Sequence, residues 1–193
     1  MTKIIGLTGG IGSGKTTIAN HFKEANIPVY IADDEARKIM QSEEIIDAIR
    51  KTFGDAIFDD TILNREKLSK IVFENPEKLK LLNAIIHPAV KKDFQNWVLN
   101  HKNAPFVIYE AAILFESGSY KNCDLIISVT APIESRIQRV IQRDNTSREQ
   151  VLKRINTQWN DDQRIAKSDF VIENVNPKTT KIEIEKILKI LKI

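Results

Sequence analysis

Residues 4–17 read Ile4-Ile5-Gly6-Leu7-Thr8-Gly9-Gly10-Ile11-Gly12-Ser13-Gly14-Lys15-Thr16-Thr17, an apolar run followed by a glycine-rich turn and the start of a helical pattern. The turn has the spacing G-x-x-x-x-G-K-[ST], in which backbone N–H groups surround phosphate oxygens, the lysine reaches the terminal phosphates and the hydroxyl binds Mg²⁺. The alternative is a glycine-rich turn without this function, which the strand pattern before it and the helical pattern after it disfavour. The stretch therefore predicts a nucleotide-phosphate site formed by Gly10, Ile11, Gly12, Ser13, Gly14, Lys15, Thr16 and Thr17, with Thr16 as the metal ligand.

The composition is that of an ordinary globular protein. The chain has 193 residues, of which 28% are charged and 42% hydrophobic, and its net charge is +3. This mild basic excess suits an anionic small molecule as well as nucleic acid, so it does not decide between them. Cys123 is the only cysteine, which excludes an intrachain disulfide and favours a reducing compartment. We expect one cytoplasmic domain without a signal peptide or a membrane span.

Short apolar runs alternate with helical patterns at both ends of the chain. Strand, helix and strand at this spacing predict βαβ units and a parallel sheet. The last segment, 177–193, predicts an amphipathic helix that packs on the sheet, with a basic membrane-surface helix as the alternative. We therefore expect a three-layer α/β/α fold around five parallel strands. The predicted strands are Lys3–Leu7, Pro28–Ile31, Phe106–Glu110, Asp124–Val129 and Phe170–Glu173.

The middle of the chain departs from this alternation. From about Asp34 to Asn103 the patterns are helical only, with one helix starting at Asn75-Pro76 and another at Pro88. A helical insertion of this size is where an acceptor substrate would bind in a kinase-like fold. The expected organisation is a single domain with its core at about 1–33, 104–135 and 165–193, an insertion at about 34–103 and a lid at about 136–164.

Three polar residues lie at or just beyond the ends of predicted strands. In an open parallel sheet, ligands bind beyond the carboxyl ends of the strands, and Asp33, Glu110 and Asn174 would lie at that edge. Phosphoryl transfer needs an acceptor for the proton of the nucleophile, and Asp33 is the best candidate. The alternative is that Asp33 caps the following helix. Glu110 would orient the Mg²⁺ shell or form a structural hydrogen bond to the phosphate loop.

Arginines gather on one predicted helix after the fourth strand. Arg136, Arg139 and Arg143 have the spacing i, i+3 and i+7, which places them on one face. A polar turn follows, and the spelling Thr146-x-x-Glu149 predicts a capping box at the start of the returning helix. Two such helices predict a lid over nucleotide phosphates, because the guanidinium binds phosphate oxygens in a bidentate manner. The alternative is a solvated basic face; we favour the lid for Arg139 and Arg143.

The ordered set of motifs resembles the dephospho-CoA kinase family from Lys3 to about Asn174. The phosphate loop alone would indicate only a superfamily, whereas the whole set is much more specific. The matching segments are Leu7–Thr16, Ala32-Asp33-x-x-Ala36-Arg37, Leu82-Asn83-x-x-x-His87-Pro88, Leu114-Phe115-Glu116, Arg139-x-x-x-Arg143 and Asp169-x-Val171-Ile172-x-Asn174.

The resemblance implies a P-loop kinase that uses ATP and Mg²⁺ to phosphorylate the 3′-hydroxyl of the ribose of dephospho-CoA. In this reading Asp33 accepts the hydroxyl proton, while Lys15, Arg139 and Arg143 stabilise the transferring group. The helical insertion binds the acceptor, and Asn174 belongs to the nucleotide site. We expect a monomer or weak homo-oligomer that binds neither nucleic acid nor membrane. The residues assigned to the acceptor site are Thr8, Asp33, Arg37, Asn83, His87 and Glu110.

Other readings remain open at this stage. A kinase of nucleosides or nucleoside monophosphates would share the loop and the lid but would not need the segment from Asn83 to Pro88. A GTP-driven switch usually carries Asn-Lys-x-Asp, which the sequence lacks. Nucleic-acid binding rests on the mild positive charge alone, and a steep salt dependence would be its signature.

Overall fold

A computed structural model describes residues 2–191, with the side chain of Phe73 excepted. The chain forms two compact units. The first contains the residues up to Ile31 and those from His101 onward, and the second contains Ala32–Asn100.

The first unit is built on a parallel sheet. Within the described residues the sheet has five strands, β1 (Lys3–Thr8), β2 (Val29–Ile31), β5 (Phe106–Glu110), β6 (Leu125–Thr130) and β7 (Phe170–Glu173). Their order in the sheet is β2-β5-β1-β6-β7, and each adjacent pair is parallel. Buried apolar runs form the strands, as expected for a sheet covered on both faces. The predicted five-stranded parallel sheet is confirmed.

Helices of the same unit flank this sheet. The apolar faces of the first and last helices meet strand residues in one core that includes Phe22, Ile127 and Ile184. The last helix therefore packs as predicted, although the end expected at Ile193 lies outside the described residues. The helices are α1 (Lys15–Glu24), α6 (Ile133–Asp144), α7 (Arg148–Asn156), α8 (Asp161–Ile165) and α9 (Pro177–Leu191).

The second unit is mainly helical. Its helices are α2 (Ala32–Ile39), α3 (Glu43–Phe53), α4 (Arg65–Phe73) and α5 (Pro76–Asn100). As predicted, Gly54 ends α3, and Asn64 caps α4 by accepting a hydrogen bond from the backbone N–H of Lys67. The expectation of helices only is wrong, because Phe58–Asp59 (β3) and Ile62–Leu63 (β4) pair as a hairpin. Strands of two residues are too short to show alternation in sequence.

Pro88 lies inside α5 rather than at the start of a new helix. Proline lacks the N–H that would bond to the carbonyl four residues earlier, which costs about 3 kcal/mol in a helix interior. Buried residues on both sides of it, Ile86, Val90 and Phe94, stabilise the continuous helix, which packs against α2, α3 and α4. The prediction of a helix boundary at Pro88 was wrong because this packing outweighs the local preference.

The predicted capping box of α7 is displaced by one residue. Ser147, not Thr146, is the cap, and its hydroxyl accepts a hydrogen bond from the N–H of Gln150. Ser147-x-x-Gln150 also has the capping-box spelling, so two overlapping signals competed. The lid segment contains a further short helix, α8, which the sequence analysis missed. None of the described helices is both long and apolar enough to span a membrane.

Candidate active site

The glycine-rich loop connects β1 to α1. Gly14, the residue before α1, has φ of 93° and ψ of 26°, the left-handed region that glycine adopts without strain. A Cβ at this position would collide with the side-chain nitrogen of Asn174. Both observations explain why glycine is needed here. They also place Asn174 against the loop.

Arg139 and Asn174 bind the carbonyl groups of the loop. Nη1 of Arg139 donates to the carbonyls of Gly12 and Ser13 at 3.3 Å each, and Nη2 donates to the carbonyl of Asn174 at 2.9 Å. Nδ2 of Asn174 donates to the same Ser13 carbonyl at 2.9 Å. The C=O and N–H of a trans peptide point in opposite directions, so the N–H of Gly14 faces away from these side chains. This arrangement leaves that N–H available to an anion.

The first turn of α1 adds further groups to the same place. Lys15 donates from Nζ to the carbonyl of Gly9 at 2.9 Å, which folds its ammonium back over the loop. Thr16 and Thr17 follow it on the helix and are exposed. The first N–H groups of a helix have no carbonyl partner within it, and together with the helix dipole they favour a bound phosphate.

The backbone N–H of Ile11, which was expected to contact phosphate, is bound to another part of the protein. That N–H donates to Oε1 of Gln158 at 2.9 Å, and the carbonyl of Ile11 accepts from Nε of Arg136 at 3.0 Å. The Ile11 side chain packs against the buried residues that join α6 to α7. A phosphate contact by this N–H would therefore require exchange of the Gln158 bond, and the contact stays a prediction.

Thr8 and Glu110 lie at the carboxyl edge of the sheet. Glu110 is paired in register with Leu7 of β1 and with Ile31 of β2, and it is 5% exposed. Thr8 is fully buried, and among the described residues its hydroxyl has no hydrogen-bond partner; the same is true of Ser13. An unsatisfied buried hydroxyl costs about 1–3 kcal/mol, so a ligand or water at these atoms is a natural partner.

Arg143 is engaged outside the loop. Its guanidinium and that of Arg154 both bind the carboxylate of Asp144, at 2.7 Å and 2.8 Å. The hydrogen bond from Arg143 lowers the pKa of Asp144, with a smaller contribution from Arg154. The two arginines lie on α6 and α7, and a lid formed by these helices stays a prediction. Contact of Arg143 with a phosphate remains a prediction.

The remaining predicted site residues belong to the second unit. Asp33 is exposed in the first turn of α2, which begins at Ala32 directly after β2. Arg37, also on α2, forms an exposed ion pair with Asp34 at 3.2 Å. Asn83 and His87 are four residues apart on α5 and therefore share one face of that helix. Partial burial lowers the pKa of His87, which favours the neutral imidazole.

A group of buried charges lies behind the loop and was not predicted from the sequence. Arg164, on α8, is 1% exposed and contacts both Glu116 and Asp161. Burial lowers the pKa of Arg164 more than these carboxylates raise it. Glu116 is part of the segment Leu114-Phe115-Glu116, which was noted above as a family motif. That motif was the only sequence signal for this group. The others lie in a polar stretch without periodicity.

A parallel sheet with this strand order and a G-x-x-x-x-G-K-[ST] loop between β1 and α1 defines a P-loop nucleotide-binding protein. The particular family follows from comparison with known proteins. A sequence profile described as dephospho-CoA kinase matches residues 3–179, so the chain belongs to the dephospho-CoA kinase family. The predicted function, ATP-dependent phosphorylation of dephospho-CoA, is thereby confirmed.

Individual relatives and solved structures are similar over most of the chain. A dephospho-CoA kinase of Fusobacterium nucleatum is 43% identical over 172 residues, which cover 89% of either chain. The crystal structure of TT1252 from Thermus thermophilus is similar with a TM-score of 0.90 and 32% identity, covering 98% of this chain and 97% of that one. A dephospho-CoA kinase from Campylobacter jejuni has a TM-score of 0.71 and 27% identity, covering 100% of this chain and 98% of that one.

Proposed function

We propose that the loop 9–17 binds the phosphates of Mg²⁺-ATP and that Asp33 accepts the proton of the 3′-hydroxyl of dephospho-CoA during transfer. The observation that carries this proposal is the loop itself, whose Gly12 and Ser13 carbonyls are bound from behind by Arg139 and Asn174. A loop held in this way presents the N–H of Gly14 without further reorganisation. Donors that are already oriented are the main requirement for stabilising charge in a transition state.

The transfer itself is a single displacement. The 3′-oxygen forms a bond to the γ-phosphorus, the bond from that phosphorus to the β,γ-bridging oxygen breaks, and ADP leaves. The hydroxyl proton passes to the carboxylate of Asp33. Lys15, Arg139 and Arg143 stabilise the negative charge on the transferring group, since positioning and charge neutralisation supply most of the catalysis in this chemistry. For this role the guanidinium of Arg139 would have to leave the carbonyls of Gly12, Ser13 and Asn174 that it binds behind the loop.

Thr16 suits a magnesium ion. Mg²⁺ usually binds to proteins through one or two oxygen ligands and keeps substrate phosphates and waters as the others, so one exposed hydroxyl at the start of α1 is an adequate donor. The ion would supply charge neutralisation for the phosphates. Glu110, buried at the sheet edge, would orient the ligands around it.

The acceptor is proposed to bind through the second unit. Arg37 carries a positive charge suited to the pyrophosphate of dephospho-CoA, and Asn83 and His87 present hydrogen-bonding groups on one face of α5. Thr8, which belongs to the first unit, is also proposed to contact the acceptor through its buried hydroxyl. We also propose that the enzyme acts in the cytoplasm as a monomer or weak homo-oligomer and binds neither nucleic acid nor membrane. Its single thiol fits a reducing compartment.

The test is ADP release from Mg²⁺-ATP with dephospho-CoA, adenosine or AMP as acceptor, with EDTA added in a parallel set. We expect stimulation by dephospho-CoA alone and its loss in EDTA. The Lys15→Ala variant should lose transfer while keeping the melting temperature of the unliganded protein. Turnover with adenosine or AMP in place of dephospho-CoA would contradict the proposal, and full activity in EDTA would remove Mg²⁺ from it.

A further inference from the structure

Four charged side chains form a chain of contacts behind the phosphate loop. Arg136 binds one carboxylate oxygen of Asp161 at 3.0 Å, and the other oxygen of Asp161 binds Arg164 at 3.3 Å. Arg164 also binds Glu116 at 3.3 Å. The two arginine side chains are 6% and 1% exposed, so nearly all of their contacts with water have been lost. Opposite charges alternate along this buried ion chain, which leaves it without net charge.

The first arginine of the ion chain touches the loop directly. Nε of Arg136 donates to the carbonyl of Ile11 at 3.0 Å while its Nη1 binds Asp161. Its guanidinium fills the space that a Cβ on Gly10 would occupy, so only glycine permits this approach. One guanidinium therefore connects the loop backbone to α8. Because the guanidinium is planar, fixing one edge on Asp161 also fixes the direction in which Nε points.

The segment before α8 holds the same loop residue from its other side. Gln158 accepts the N–H of Ile11 at 2.9 Å. The next residue, Trp159, donates its backbone N–H to Glu116 at 2.8 Å and stacks on Phe115 with ring centroids 5.2 Å apart. Both polar groups of the Ile11 backbone are thus bound by groups that the buried ion chain and its neighbours keep in place.

We propose that Asp161 is a positioning residue for the nucleotide site and acts through Arg136 on the backbone of Ile11. Asp161 binds two buried arginines, Arg136 and Arg164. Without its negative charge, each of these arginines would stay in the interior and lose one carboxylate partner. The guanidinium of Arg136 would then turn toward another acceptor or toward water, and the Ile11 carbonyl would lose its donor. The loop N–H groups would no longer be held in one arrangement before nucleotide binds.

The test is calorimetric titration of the full chain with Mg²⁺-ADP, together with separate KM values for ATP and dephospho-CoA. Asp161→Asn should weaken ADP binding and raise the KM for ATP by roughly tenfold, the size expected for the loss of one hydrogen bond to a charged group. The KM for dephospho-CoA should change by less than about twofold on the same reasoning, since its proposed contacts lie elsewhere. Arg136→Met should give the same pattern, and the double variant should be no weaker than the weaker single variant.

Three matched variants separate positioning from general destabilisation. Glu134→Gln removes a carboxylate that pairs with Arg148 at the exposed surface and should leave ADP binding unchanged. Ile187→Ala lowers the melting temperature through the core beside α9 and should also leave ADP affinity unchanged in the folded protein. Arg136→Lys keeps a positive charge beside Asp161 but lacks the second nitrogen that binds the Ile11 carbonyl, so ADP binding should weaken. This variant tests the proposal if Asp161→Asn does not fold.

The proposal would be overturned if Asp161→Asn bound ADP with unchanged affinity. If Asp161→Asn fails to fold, unchanged ADP affinity in Arg136→Lys would overturn it instead. Additive losses in the double variant, or an equal loss in Ile187→Ala, would also overturn it. ADP binding is measured without an acceptor, so failure of the proposed roles in transfer would appear as absent product with normal ADP affinity and would be distinguishable.

Discussion

Asp33 carries one negative charge at the start of α2, among three consecutive acids in the first turn of that helix. The other two have partners nearby: Asp34 pairs with Arg37 and Glu35 pairs with Lys38. The proposed role of Asp33 therefore concerns this carboxylate and not the negative charge of the turn as a whole. Substitution of neighbouring acids separates the two.

Asp33→Asn should lower kcat by about 10²–10⁴-fold, the usual range for a positioned proton acceptor. The affinity for ATP should stay unchanged, because the amide keeps the shape of the side chain and the nucleotide loop is untouched. Glu35→Gln removes the same charge from the same turn and should keep kcat within about twofold on that reasoning. Steady-state kinetics with dephospho-CoA make the comparison, and a near-normal kcat in Asp33→Asn would remove it from the catalytic role.

Cys123 should be an unreactive thiol in the folded protein. Burial raises its pKa to about 12, with a contribution from the neighbouring charge of Asp124, so the thiolate is scarce at pH 8.5. An exposed cysteine of ordinary pKa is about half thiolate at that pH, and the difference corresponds to roughly 10³-fold slower alkylation. Iodoacetamide labelling with and without urea measures this. Equal labelling rates in the two conditions would contradict the burial of the thiol.

Single residues of the loop could be predicted from sequence because their roles depend on local geometry. Gly14 adopts a left-handed conformation, and Lys15 follows it at the start of a helix. Both features are indicated by the sequence motif itself. The hydrogen bond from Ile11 to Gln158 joins residues 147 positions apart. No local pattern marks such a partner, so this contact required the structure.

The central helix of the second unit, α5, was divided by the sequence analysis at Pro88. Local preference alone favours a boundary there, and the structure shows one helix of 25 residues. Local preference also failed to predict β3 and β4. The turn between these strands contains Asp60 in the left-handed region, with φ of 55°. By contrast, α3 and α4 were predicted well, because a glycine stop and an asparagine cap are local signals.

Pro88→Ala should raise the free energy of unfolding by roughly 1–2 kcal/mol. An interior proline costs about 3 kcal/mol, while its rigidity in the unfolded chain returns up to about 1 kcal/mol. Urea denaturation of the variant and the parent chain gives the difference. If Pro88 instead began a separate helix, where proline is favourable, alanine would lower the unfolding free energy and contradict the continuous helix.

For the chain as a whole, the sequence predicted the sheet, the loop and the family, since all three rest on ordered local motifs. It did not predict the ion chain from Arg136 to Glu116, because its members become neighbours only when α6, α8 and the segment after β5 fold together. Arg136 belongs to a periodic set of arginines in the sequence, but nothing in that pattern indicates that it is buried and paired with Asp161. The position of these charges behind the phosphate loop is a property of the tertiary structure.

The central claim is transfer of the γ-phosphoryl group of ATP to the 3′-oxygen of dephospho-CoA. The most direct measurement is ³¹P nuclear magnetic resonance of the reaction products, which identifies the oxygen that carries the new phosphate. We expect ADP together with one new phosphomonoester coupled to the ribose 3′-hydrogen. Formation of ADP with free phosphate alone, or a phosphomonoester at another position of the acceptor, would contradict it.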